Sequence, residues 1–136
     1  MTAIDIDGLV RAASEARHRA YAPYSGFRVG AALLAHSGRV YTGCNIENAA
    51  FSPTICAERV ALGAAIAAGE PPGDFAAIAV VSDDGRPTSP CGVCRQVLFE
   101  LAPGARVIMA AAPEKSKDRL EMTPEQLLPY GFVLDR

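Results

Sequence analysis

Two short cysteine clusters constrain this chain more than any other feature. One is the sequence CAER at 56–59, and the other is PCGVC at 90–94. Three thiolates around a zinc ion leave its fourth tetrahedral position open, as in catalytic rather than structural zinc sites. A carboxylate two residues from a ligand is suited to handle the protons of a water in that position. The predicted ligands are Cys56, Cys91 and Cys94, and the predicted acid–base group is Glu58.

The spacing within the clusters predicts where they lie. Cys91 and Cys94 are three residues apart, which puts both thiols on one side of a helix. In mid-helix, Cys56 and Glu58 would point to nearly opposite sides, whereas in a first turn both can reach forward past the helix end. We therefore expect two helix N-termini that converge on one point. That position also favours thiolates, because free N–H groups and the positive end of the helix dipole lie there.

A zinc site made only of cysteines carries net negative charge, which weakens the metal as a Lewis acid. Water on a catalytic zinc typically has a pKa of about 7, so this site needs a group that withdraws charge. Arg59 is the predicted group, because a guanidinium can donate hydrogen bonds to the sulfurs. Arg95, directly after Cys94, is a weaker candidate for the same role.

Length and charge narrow the class of protein. A chain of 136 residues, half of them hydrophobic, suits one compact domain over 1–136. The formal net charge is −2, and no block of like charge occurs. Polynucleotide binding usually needs clustered lysine and arginine, so the composition favours a small uncharged or cationic substrate instead.

Cysteine usage and hydropathy predict a cytoplasmic protein. The first residues lack the basic segment and apolar core of a signal peptide, and no apolar run is long enough to span a membrane. Thiols stay reduced in the cytoplasm, so four cysteines indicate metal binding or catalysis before disulfides. Cys44 lies outside both clusters and is expected to be a small buried residue at the end of a strand.

Hydrophobic periodicity and turn residues predict an α/β fold. The alternation of elements after an initial helix and hairpin indicates a mixed sheet of about five strands sandwiched between helices, with right-handed parallel crossovers. The segment at 113–119 is expected to be an exposed loop, and Thr123 is expected to cap the last short helix. The predicted helices cover 5–21, 56–68 and about 91–101, and the predicted strands cover 27–36, 39–44, 75–82 and 105–111.

With these motifs in view, the chain resembles the zinc-dependent nucleoside deaminases in their three-cysteine form. Segments at 22–32, 42–49 and 127–132 resemble the short, homotetrameric cytidine deaminases, and the resemblance extends from about residue 5 to 132. It implies one zinc ion per subunit. It also implies hydrolytic deamination of free cytidine and 2′-deoxycytidine to the uridines plus ammonia, in pyrimidine salvage.

The resemblance further implies how a nucleoside is held. Phe27 would pack against the pyrimidine ring, the Ala57 backbone N–H would face the base O2, and the Ser89 carbonyl would accept from the departing amine. Two polar residues would bind the ribose 3′-hydroxyl, and one aromatic residue would be lent by a neighbouring subunit to close the pocket. These are Asn45 and Glu47 for the ribose, and Phe132 for the neighbour.

Three other interpretations remain open at this point. A blasticidin S deaminase-like aminohydrolase would share the zinc core, but the sequence NIEN at 45–48 favours a ribose. A polynucleotide cytidine deaminase is disfavoured by the acidic net charge. A non-enzymatic zinc module needs a fourth protein ligand, and neither His18 nor His36 is near a cluster in sequence.

Overall fold

The computed structural model describes residues 3–135 and contains one mixed sheet with helices on both faces. None of the helices described is long and apolar enough to cross a membrane. The helices are α1 (Ile6–Arg17), α2 (Ala57–Ala67), α3 (Gly92–Leu101) and α4 (Pro124–Leu127). The strands are β1 (Val29–Ala35), β2 (Val40–Cys44), β3 (Phe75–Ser82), β4 (Arg106–Ala110) and β5 (Arg119–Met122).

The strand order β2-β1-β3-β4-β5 explains why the clusters meet. Strand β1 is antiparallel to both β2 and β3, so β2 and β3 run parallel to each other, and β3 is parallel to β4. Helices α2 and α3 therefore each connect two parallel strands, as the alternating pattern predicted. Both helices begin beyond the carboxyl ends of the strands before them, where open α/β sheets usually place their sites.

Alternating side chains of the sheet form two core layers. On one face, Leu33 and Ile78 pack in a cluster with residues of α2 and α3. On the other face, small residues such as Ala32 and Ala79 pack against α1. A Cβ on Gly30 would lie 1.9 Å from the Ala13 carbonyl oxygen, so glycine lets β1 touch the α1 backbone. The predicted sandwich of helices around a mixed sheet is confirmed.

The first helix is shorter than predicted. A helix over 5–21 was expected, but α1 ends at Arg17. The segment after it leaves the helix because Tyr21 pairs with the loop that follows β2. Its N–H donates to Asn45 O at 3.0 Å, and its carbonyl accepts from Glu47 N at 2.8 Å. Long-range pairing thus overrides helical periodicity at 18–21.

Strand β5 was missed, because only a loop was predicted at 113–119 and nothing at 120–122. It is a short edge strand that pairs antiparallel with β4, and most of its side chains are exposed. Its sequence RLEM holds no β-branched or aromatic residue, so local propensity gives little signal.

The start of the last helix was predicted correctly. Thr123 and Gln126 form the expected capping box at the start of α4.

Candidate metal centre and active site

Three thiols meet at the N-termini of α2 and α3. Cys56 is the N-cap of α2 and Cys91 is the N-cap of α3, while Cys94 is buried in the first turn of α3. The Cys56 and Cys91 sulfurs are 3.6 Å apart, and all three sulfurs lie within 4.8 Å of one another. The predicted convergence of two helix N-termini is therefore confirmed.

The donor set fits a zinc ion. Tetrahedral geometry with Zn–S bonds of 2.3 Å separates two sulfurs by about 3.8 Å, close to the distance between Cys56 and Cys91. Within residues 3–135 the cluster holds only the three cysteines. His36 instead pairs with Asp74 at 3.1 Å, and His18 lies 3.4 Å from Arg28. An ion bound by these thiols alone has one tetrahedral position left for another ligand, as in catalytic sites.

A glycine sets the position of the first cluster. Gly43 of β2 faces the first turn of α2, and a Cβ there would lie 2.3 Å from Ala57 O and 2.6 Å from Ala61 N. Strand and helix thus touch through their backbones. Cys44, the next residue, is half-buried and lies outside the thiol cluster.

Arg95 holds the second cluster through the backbone. Its Nε donates to Pro90 O at 2.8 Å, and its NH1 donates to Leu127 O at 3.0 Å. The guanidinium therefore fixes the residue before Cys91 and ties α3 to the end of α4. Arg95 was the weaker candidate for withdrawing charge from the sulfurs. Its hydrogen bonds go to carbonyl oxygens instead, so the structure does not support that role.

Glu58 lies beside the thiols in the first turn of α2, and only 3% of its surface is exposed. Burial is the main cause that raises the pKa of this carboxyl to about 7, and the charge of Cys56 adds to it. Arg59 acts in the opposite direction. A divalent cation on the thiols would also favour the carboxylate. A buried carboxyl with such a pKa is well placed to accept and return protons near neutral pH.

Arg59 directs its guanidinium at the cluster, as predicted. Its NH2 lies 3.5 Å from Cys56 Sγ and from Thr54 O. A hydrogen bond from Cys94 is the largest cause that lowers the pKa of Cys56 to about 5, and hydrogen bonds from Arg59 and Cys91 add to it. The contact with Cys56 in turn raises the pKa of Arg59. Positive charge is thus supplied next to the sulfurs.

The polar residues predicted for the ribose lie together in the loop after β2. Asn45 is buried, and its amide joins the entry of β1 by accepting from Val29 N and donating to Phe27 O, both at 2.8 Å. The Glu47 carboxylate accepts from Tyr24 N at 2.9 Å and from Ser25 N at 3.1 Å. The structure therefore brings Asn45 next to Phe27 and places Glu47 two residues further along the same loop.

The remaining predicted residues differ in exposure, from the fully buried Ala57 to the exposed Ser89 and Phe132. Ala57 is the first residue of α2, where a backbone N–H has no partner inside the helix. Ser89 is exposed just before the second cluster. Phe132 is 66% exposed, although its carbonyl accepts from Gln96 Nε2 at 3.1 Å. In a single chain, Phe132 is thus displayed to solvent.

Two aromatic residues near Glu47 were missed by the sequence analysis. Tyr24 and Phe51 meet edge to face with ring centroids 6.4 Å apart, and both are exposed. With Ser25, Glu47 and Thr54 they line a cavity of about 320 Å³. The only available signal was the presence of large aromatic residues within polar, turn-rich segments.

Comparisons with known proteins agree with this geometry. The family model of the cytidine and deoxycytidylate deaminase zinc-binding region matches residues 5–111. A cytidine deaminase of Sporosarcina psychrophila is 46% identical over 129 residues, which cover 95% of this chain and 92% of that protein.

Solved structures show the same similarity in three dimensions. The crystal structure of cytidine deaminase from Burkholderia pseudomallei has a TM-score of 0.89 and 47% identity, covering 95% of this chain and all of that one. Cytidine deaminase from Mycobacterium tuberculosis has a TM-score of 0.80 and 36% identity, covering 97% and 100% of the two chains. The fold, the three-thiol zinc site and the sequence similarity together show that this chain belongs to the cytidine deaminase family.

Proposed function

We propose that this chain hydrolytically deaminates free cytidine and 2′-deoxycytidine to the corresponding uridines and ammonia. The observation that carries the proposal is a buried Glu58 beside three thiols suited to one zinc ion per subunit. The whole chain, 1–136, forms the catalytic domain. The enzyme acts in the cytoplasm, where its thiols stay reduced, and it serves pyrimidine salvage.

Glu58 moves the protons of the reaction. Zinc held by the three cysteines would supply Lewis acidity that makes a water nucleophilic near neutral pH. Glu58 accepts a proton from the attacking water and delivers it to N3 of the pyrimidine, which makes C4 electrophilic. The water oxygen adds to C4. Glu58 then carries the second proton to the amino group, and the C4–N bond breaks to release ammonia.

The base is oriented by groups around the zinc site. Phe27, which is partly exposed, offers an apolar face to the flat ring. The free N–H of Ala57 at the start of α2 donates to the base O2. The carbonyl of Ser89, close to the second cluster, accepts from the departing amine. Each group acts on a different edge or face of the base.

Asn45 and Glu47 bind the sugar through donor and acceptor sites that their bonds within the protein leave unused. The Asn45 amide uses one acceptor site on Val29 and one donor on Phe27, so one of each remains. The Glu47 carboxylate accepts three hydrogen bonds from the segment 24–25 and has about four acceptor sites. A ribose 3′-hydroxyl, as donor and acceptor, fits this pair.

Assays with two rival substrates, blasticidin S and single-stranded DNA, test the proposed substrate class. Competing cytidine against blasticidin S in an ammonia-release assay should show a clear preference for the nucleoside, because Asn45 and Glu47 offer hydrogen-bonding groups that a ribose can use. Single-stranded DNA should not be deaminated, because the chain has a formal net charge of −2. Faster turnover of blasticidin S or of DNA would contradict the proposed substrate class.

We propose a homotetramer in which Phe132 closes the pocket of a neighbouring subunit. Its side chain is exposed while its backbone is held by Gln96. Gly131 packs so closely that a Cβ would lie 2.8 Å from Leu128 Cδ2. Small exposed residues such as Gly63 and Ala64 on α2 allow a second helix to approach closely. The segment is thus packed against its own subunit and presents an exposed aromatic ring.

Subunit mixing tests the shared pocket. Phe132→Ala and Glu58→Gln should each be poorly active alone, whereas mixed tetramers should regain activity. Some mixed pockets combine an intact Glu58 from one subunit with an intact Phe132 from its neighbour. Activity of the mixture, measured after mild dissociation and reassociation, checks this. Absence of any gain, or a fully active monomer at micromolar concentration, would refute the shared pocket.

Substitution of Arg59 tests the tuning of charge at the sulfurs. Arg59→Gln should bind zinc but lower kcat by about 10-fold to 100-fold, because a charge-assisted hydrogen bond to Cys56 is lost. Arg106→Gln is the comparison and should keep normal kcat, since its guanidinium pairs with Glu121 on the edge strand β5. Zinc content and cytidine turnover are measured on both. Normal kcat in Arg59→Gln would exclude the role.

A further inference from the structure

Asp83 forms four hydrogen bonds with one neighbouring residue, Arg28, where their strands meet at one end of the sheet. It follows β3 directly, and Arg28 directly precedes β1. The Asp83 N–H donates to Arg28 O, and the Arg28 N–H donates back to the Asp83 carboxylate, both at 3.1 Å. The Arg28 guanidinium adds two more hydrogen bonds to the same carboxylate, at 3.0 and 3.1 Å. One side chain therefore holds both the backbone and the side chain of Arg28.

The Asp83 carboxylate is itself anchored by a buried arginine. Arg17 at the end of α1 is 2% exposed, and its NH1 donates to Ser82 O at 2.9 Å and to Asp83 Oδ1 at 3.3 Å. Its NH2 contacts Glu114. Burial raises the pKa of Asp83, but Arg28 and Arg17 outweigh it and hold the pKa below its usual value. The carboxylate is therefore ionised at neutral pH and fixed in place.

Asp83 and Asn45 extend the sheet on the two sides of β1. Asn45 follows β2 and bonds Phe27 O and Val29 N, whereas Asp83 follows β3 and bonds the N–H and carbonyl of Arg28. Alternate residues of a strand bond to opposite neighbours in this manner. The backbone at 27–28, beyond the last regular pair of Val29 with Ser82, is thus held by Asn45 on the β2 side and by Asp83 on the β3 side.

The other elements of the proposed site are held by contacts that do not involve this carboxylate. The loop that leads to Ser89 is closed separately by a contact between the Ser82 and Thr88 hydroxyls. The residue before Cys91 is held by Arg95. Loss of the Asp83 carboxylate should therefore loosen the entry of β1 while the thiol cluster stays in place.

We propose that Asp83 is a positioning residue that fixes the Phe27 ring against the pyrimidine by clamping Arg28 from the β3 side. This inference rests on the proposed function, in which Phe27 packs against the base. A ring that stacks equally on the substrate and on the transition state contributes uniform binding. Misplacement of Phe27 therefore changes KM and product affinity rather than kcat.

The variant Asp83→Asn tests the clamp. The amide keeps the shape of the carboxylate, but its NH2 group faces a guanidinium donor and the charge is lost. We expect KM for cytidine to rise about 10-fold, with kcat within about 3-fold of the wild type. Zinc content should be unchanged, and the Kd for uridine, measured by calorimetry, should rise in parallel with KM. Glu121→Gln is the matched control, because it breaks the bidentate Arg106–Glu121 pair on the distant edge strand.

The outcomes separate the clamp from a purely structural role. An unchanged KM in Asp83→Asn, or a loss of zinc and kcat at constant KM, would overturn the proposal. If Asp83→Asn does not fold, Arg28→Gln decides by the same criterion, because Arg28 is partly exposed and its loss removes two of the bonds. Failure of the wild type to convert cytidine would refute the proposed function, whereas normal wild-type turnover with an unchanged variant KM refutes only the clamp.

Discussion

Glu58→Gln should keep its zinc and lose cytidine turnover by about 1,000-fold or more, since proton transfer by a placed side chain typically contributes 10²–10⁴-fold. The amide has nearly the size of the carboxyl, so the first turn of α2 should pack unchanged. It cannot accept a proton from water or return one to the amine. The prediction is checked by metal analysis and by the ultraviolet change that accompanies conversion of cytidine to uridine.

The control for this variant is Glu100→Gln on the exposed face of α3. It makes the same chemical change far from the first turn of α2 and should behave as the wild type. Turnover of Glu58→Gln within 10-fold of the wild type, at full zinc content, would exclude Glu58 as the proton carrier.

Gly43→Ala is expected to damage the site through packing alone. The added Cβ would lie 2.3 Å from Ala57 O and 2.6 Å from Ala61 N, so the first turn of α2 has to move. Overpacking of this kind costs about 1–3 kcal/mol of folding free energy. A displacement of catalytic groups by about 1 Å can lower the rate about 100-fold. We expect a lower melting temperature, reduced zinc affinity and strongly reduced turnover.

Gly104→Ala is the matched control for Gly43→Ala. No heavy atom lies within 4 Å of a Cβ at Gly104, so the same change should leave melting temperature, zinc content and turnover unaltered. Wild-type stability and zinc binding in Gly43→Ala would show that the position of α2 does not depend on its close contact with β2.

Local sequence signals predicted the elements that position the metal. The i, i+3 spacing of Cys91 and Cys94 predicts one side of a helix, and the pairing of Cys56 with Glu58 predicts a helix first turn. Both clusters lie at helix N-termini. The ends of elements depended on distant partners instead. Helix α1 ends early because Tyr21 pairs with the loop after β2, and β5 exists because β4 offers a free edge. Neither partner is visible within a short window of sequence.

The same distinction holds for the candidate site. Arg59 follows Glu58 in sequence, so its approach to Cys56 was predictable. The clamp between Asp83 and Arg28 joins residues 55 positions apart and was not predicted. Tyr24 and Phe51 form a cavity wall only because two loops fold together beside Glu47. Contacts between loops are set by the sheet that carries them, and spacing along the chain does not encode them.

The most direct test is a zinc titration of metal-free protein while the conversion of cytidine to uridine and ammonia is followed. Turnover should rise in proportion to bound zinc and level off at one ion per chain, because a single three-thiol cluster was found among residues 3–135. Full activity without metal would contradict the account, and so would an inactive protein that holds one zinc ion on Cys56, Cys91 and Cys94.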